Sequence, residues 1–110
     1  MVRAVHAVQS RSFVTHEPIL VEAFSLLTKR LHKAAALQTI GALRRSPRVH
    51  VVRLSTELLE VAWTRCQRFA DKDWDWIDCT SFEVMERHGL REALSLDHHF
   101  RQAGFVLLEK

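Results

Sequence analysis

The chain has 110 residues, 47% of them hydrophobic, with three glycines and two prolines; this supports a single globular domain over residues 1–110 and excludes long low-complexity tracts. Sixteen basic against 13 acidic residues leave a formal charge of +3, and seven histidines can add to it just below neutral pH, which permits nucleic-acid binding without identifying it. No apolar run approaches the ~18–20 residues of a membrane span, the N-terminus lacks the apolar core of a secretory signal, and Cys66 and Cys79 are too few for a disulfide framework, so reduced thiols and a cytoplasmic location are expected.

In chain order, "VRAVHAVQS" places small and apolar residues at helical spacing with no cap ahead of Val2, and reads as the tail of a helix. "SFVTHE" reads as a short strand. Pro18 suits a first helical position, and Ile19, Ala23, Leu26, Leu27 and Leu31 recur with a helical period over about 18–31. A second helix, about 32–45, stops at Ser46-Pro47. "VHVVRL", 49–54, is β-branched and reads as a strand. Ser55 or Thr56 can cap a helix that carries Leu58, Leu59, Ala62, Trp63, Cys66 and Phe69. The loop "DKDWDW" leads into a helix ending at Gly89, and "EALSL" (92–96) and "GFVLL" (104–108) read as strands. Strands alternating with helices imply a parallel sheet covered on both faces, with ligands bound at the carboxyl ends of the strands.

That rule singles out three carboxylates. Asp97 ends the strand "EALSL"; it is either a turn residue capping the segment "HHFRQA" or a group aimed at a ligand. Asp78 falls in the first turn of its helix, where free N–H groups and the helix dipole favour a negative charge, and Ser81 lies one turn along on the same face. Glu22 sits one turn into the Pro18 helix on the rim of its apolar stripe, as a solvated charge or a ligand. Carboxylates gathered at one sheet edge repel each other unless a hard divalent cation such as Mg²⁺ or Mn²⁺ neutralises them. A cation beside a phosphodiester activates water and stabilises the charge developed in in-line attack, so phosphodiester hydrolysis is the natural chemistry. Asp71, Asp73 and Asp75 read as loop and capping charges.

The run "DKDWDWIDCTSFEVMERHGLREALSLDHHFRQAGF" resembles the C-terminal half of PIN-domain nucleases of the bacterial VapC toxin type, and "FVTHEPILVEAFSLL" is similar to that family's second strand and Glu-bearing helix. The resemblance implies a PIN-like three-layer α/β/α fold with a parallel sheet. It also implies that Glu22, Asp78 and Asp97 are acidic metal-site positions, and that Ser81 is the small polar residue beside them. The implied activity is Mg²⁺- or Mn²⁺-dependent endoribonuclease action on RNA, within a type II toxin–antitoxin system, by a homodimer restrained by a cognate antitoxin. The family's first central strand, which ends in an Asp, has no acidic counterpart before Glu17. The expectation is therefore an N-terminally incomplete domain with that strand missing, two unpaired inner sheet edges and an incomplete site.

Two other readings remain open. His16, His98 and His99 could ligate zinc, although no HxxxH or CxxC spacing supports it. Lys29, Arg30, Lys33, Arg44, Arg45 and Arg48 form a basic region that could track an RNA backbone or grip an acidic antitoxin segment without catalysis. Trp63, Trp74 and Trp76 could stack on bases, but Trp63 has a core register, and Trp74 and Trp76 are expected to pack the loop against the domain or a dimer mate.

Overall fold

A computed structural model describes residues 5–9, 12–94 and 98–108. The elements run β1 (Val5–Gln9), β2 (Ser12–His16), α1 (Glu17–Arg30), α2 (Lys33–Arg45), β3 (Val49–Val52), α3 (Thr56–Arg68), α4 (Trp76–Arg87), β4 (Glu92–Leu94), α5 (His99–Gln102) and β5 (Val106–Leu108).

Local chemistry accounts for the helix limits. Pro18 sits in the first turn of α1, where its missing N–H costs nothing. The His32 ring accepts from the Ala35 N–H to start α2, and the Ser55 hydroxyl accepts from the Leu58 N–H to start α3. After α4, Gly89 takes φ +66°, which a side chain would resist, and the Leu90 N–H returns to the Met85 carbonyl.

The strands form one sheet in the order β3-β2-β1-β4-β5. As expected, β2 pairs parallel with β3, and β4 with β5. The opening segment corrects the sequence reading. Residues 5–9 are a strand, not a helix tail, and that strand runs antiparallel to β2 on one side and to β4 on the other. The valine spacing that suggests a helical face also suits β-branched side chains on a pleat. The decisive term is tertiary: between β2 and β4 a strand satisfies two rows of backbone donors and acceptors, which a helix there would leave unmade. The expected unpaired inner edges are thus closed, and the sheet is mixed rather than wholly parallel.

Alternate residues of β2 face opposite sides, as the pleat requires. Phe13 and Thr15 border a hollow shared with Leu20 and Leu43, while Val14 packs on the cluster around Phe82 and His16 reaches Ser81. Helices therefore cover both faces. On the α4 side, Ile19, Phe82, Met85, Leu90, Ala93, Phe100 and Phe105 form the larger core. Phe82 meets Trp74 and Phe100 edge-on, with centroids 5.1 and 5.2 Å away, and stacks on Phe105 at 5.7 Å; burying such a ring stabilises by roughly 1.5–3 kcal/mol. The α1–α2 side has a smaller cluster of Leu20, Ala23 and Ile40.

Candidate functional site at the start of α4

Polar chemistry concentrates where α4 begins. Asp75 caps the helix, and its Oδ1 accepts from the Asp78 N–H at 2.9 Å. In return, Asp78 Oδ2 accepts from the Asp75 N–H at 3.0 Å, so the two aspartates make a reciprocal capping box. Asp78 is only 2% exposed. A buried carboxylate is costly unless its oxygens are met, and here Asp78, in the first turn of a helix, accepts from the Asp75 N–H and has Nδ1 of the His99 imidazole 3.2 Å from its Oδ2.

Ser81, one turn further along, is fully buried, and its hydroxyl lies 2.8 Å from His16 Nε2 at the end of β2. With both partners buried, the hydroxyl is held in one orientation, and its burial excludes it as an attacking nucleophile. The Thr80 hydroxyl turns back to the Trp76 carbonyl at 2.8 Å and takes no part in the site.

Glu22 is half-buried on α1. It lines an open hollow of about 560 Å³ with Glu17, Pro18, Val21, Leu54, Leu59 and Ile77. Ile77 immediately precedes Asp78, so this hollow opens beside the first turn of α4. Asp97 lies outside the described residues, as do Ser95 and Leu96 of the expected strand. Among the described residues, no group of three or more His, Cys, Asp or Glu side chains is gathered closely enough to hold a metal ion.

The other sequence readings divide. Asp71 and Asp73 are exposed loop charges, as expected, and Asp75 is the cap. Cys66 and Cys79 are free thiols; burial, with the Cys66 thiol beside it, pushes the Cys79 thiol well above its ordinary value. Lys29, Arg30, Lys33, Arg44, Arg45 and Arg48 are all exposed. Trp74 packs the loop as expected, donating its indole N–H to Gln102 Oε1 at 3.1 Å. Trp63 is a correction: it is 45% exposed rather than core, because the buried face of α3 is set by Leu58 and Ala62, and its ring rests on Trp76 with centroids 5.0 Å apart. His16 and His99 are the two polar partners that spacing did not assign to these contacts. The available signal was positional, since one histidine ends a strand and the other opens a helix at the same sheet edge.

The chain matches the PIN domain family over residues 2–106. It is 34% identical over 93 residues to the 23S rRNA-specific endonuclease VapC20 of Mycobacterium tuberculosis, in both the CDC 1551 and H37Rv strains, an alignment covering 84% of this chain and 70% of the relative. The crystal structure of Mycobacterium tuberculosis VapC20, described as a sarcin-ricin loop cleaving toxin, superposes with a TM-score of 0.83 at 33% identity, over 89% of this chain and 75% of that one.

Proposed function

The chain belongs to the PIN-domain family, and on that premise we propose that it is a metal-dependent endoribonuclease of the VapC toxin type. The observation that carries this reading is the buried Asp78 carboxylate in the first turn of α4, beside the hollow lined by Glu22. Its donor set fits a hard divalent cation. The carboxylates come from separate elements, and the Asp75 N–H and the helix start hold Asp78 in place. Glu22, Asp78 and Asp97 would hold Mg²⁺ or Mn²⁺, which when bound supplies charge stabilisation to a phosphodiester under attack. Ser81, oriented by His16, supports the same corner from within the helix. The exposed basic residues of α1 and α2 would neutralise RNA phosphates.

The relative's substrate makes 23S rRNA the first RNA to test. The proposal extends to a cognate antitoxin as partner, a homodimer as the assembly and the cytoplasm as location; among the described residues no helix is long and apolar enough to cross a membrane. One observation favours a second reading, RNA or antitoxin binding without cleavage: β1, at the centre of the sheet, has the sequence VHAVQ and carries no carboxylate. Incubating the purified chain with 23S rRNA in Mg²⁺ or Mn²⁺ separates the two. Discrete fragments that disappear in excess chelator support the nuclease. RNA that is bound but stays intact supports the binding module.

A further inference from the structure

His16 and His32 each precede a helix and use their rings differently. The His32 ring is exposed and caps α2, accepting from the Ala35 N–H at 3.0 Å. Ser55 and Asp75 likewise cap α3 and α4. The His16 ring makes no cap bond to α1. It is fully buried instead, with Nε2 2.8 Å from the hydroxyl of Ser81, which is also fully buried and lies 65 residues away in sequence. Replacing both partners of a buried hydrogen bond by apolar groups of the same shape is nearly neutral for stability, so the core does not require this pair. Its location gives it another use. His16 joins the end of β2 to α1, the helix that carries Glu22, and Ser81 lies one turn past Asp78 on α4. The open hollow of about 560 Å³ is lined from both helices, by Glu17, Pro18, Val21 and Glu22 of α1 and by Ile77 of α4, so its width depends on how far the start of α1 stands from the start of α4.

We propose that His16 is a positioning residue of the cleavage reaction: its buried contact with Ser81 ties the carboxyl end of β2, and with it the start of the Glu22 helix, to the helix that carries Asp78. The inference rests on the nuclease reading and adds to it a residue too deeply buried to touch RNA. One hydrogen bond suffices because both of its ends are fixed. Ser81 sits between Thr80 and Phe82 in a run of buried residues, and β2 is held by pairing with β1 and β3. Removing the contact therefore frees one helix start relative to the other without unfolding either. Site geometry held to within about 0.5 Å depends on such supporting contacts, and losing one lowers metal affinity or activity by roughly 10- to 100-fold.

The test compares RNA cleavage, Mn²⁺ affinity by calorimetry and thermal unfolding for the full chain and its variants His16→Leu, His16→Gln, Ser81→Ala and the double variant His16→Leu with Ser81→Ala. The double variant removes both polar groups at once, so it should melt close to the wild type. Its kcat and Mn²⁺ affinity should nevertheless each fall by on the order of tenfold, with KM for RNA unchanged. His16→Leu alone should show the same loss of kcat, and adding Ser81→Ala should deepen it no further, because the two residues act as one unit. His16→Gln, whose amide reaches the place of Nε2, should restore cleavage to within roughly threefold of the wild type. Wild-type kcat and Mn²⁺ affinity in the double variant would overturn the role of His16 and leave the nuclease reading standing. So would a loss that His16→Gln does not relieve. An unfolded double variant would overturn it equally, since the pair would then be holding the core. A wild-type chain that cuts no RNA would remove the nuclease reading and this inference with it.

Discussion

The two sides of the sheet are built differently. On the α4 side, residues 78 to 82 are buried without interruption, three of the five are polar, and beneath them lies the aromatic cluster of Trp74, Phe82, Phe100 and Phe105. On the α1–α2 side, the buried cluster among the described residues is only Leu20, Ala23 and Ile40, Val21 and Leu37 are 65% and 57% exposed, and a hollow of about 330 Å³ opens between Leu20, Phe24 and Ile40. Charged and polar groups are held rigidly only where the packing around them is complete, because rotamers fixed by neighbours keep their geometry. The α1–α2 side instead displays the exposed basic residues Lys29, Arg30, Lys33, Arg44 and Arg45.

The contrast can be broken first in the core. Phe82→Ala should cost about 3–5 kcal/mol in denaturant unfolding, since a ring with aromatic neighbours on three sides leaves a cavity that cannot collapse. Ile40→Ala, beside an existing hollow, should cost nearer 2 kcal/mol. Equal losses would show that the two sides are packed alike. At the site, Glu22→Gln should lower RNA cleavage by on the order of 100-fold, a loss comparable to removing one preorganised electrostatic group. Unfolding should move by no more than about 0.5 kcal/mol, because Glu22 is half-buried at the rim of a hollow. Cleavage that survives this substitution would confine the chemistry to α4.

Smaller effects sharpen the same picture. Asp75→Ala should lower stability by about 1 kcal/mol through the lost cap. It should also weaken Mn²⁺ binding, because Asp78 would lose half of its capping box; weaker stability with unchanged binding would separate cap from site. Cys79 gives the mildest signal. With its folded pKa raised by burial, its contribution to stability is complete below the unfolded thiol value, about 8.5, and declines as pH rises above it. Cys79→Ala should flatten the alkaline fall of the melting temperature, and in the native wild type a thiol reagent should label Cys66 before Cys79.

Much of this was legible in the sequence, for identifiable reasons. Pro18, Ser55 and Gly89 act locally, and the helices they bound appear where spacing placed them. The first turn of α4 was readable because Asp78 and Ser81 share a helix face, which a 3.6-residue period specifies alone. β1 was not readable, because Val5 and Val8 fit either period and their strand identity comes from two neighbours remote in sequence. The His16–Ser81 and His99–Asp78 contacts were hidden for the same reason, spanning 65 and 21 residues. Trp63 misled because a helical stripe reports which residues share a face, not how far the neighbouring helix extends over it.

The most direct test of the central claim is RNA cleavage by the wild-type chain and Asp78→Asn, compared side by side in Mn²⁺. Asparagine keeps an oxygen for the Asp75 N–H while removing the charge, so fold and cap should persist. The account predicts discrete RNA fragments from the wild type and none above background from Asp78→Asn, with both proteins folded at the assay temperature. Equal cleavage by the two, or bound but uncut RNA with the wild type, would contradict it.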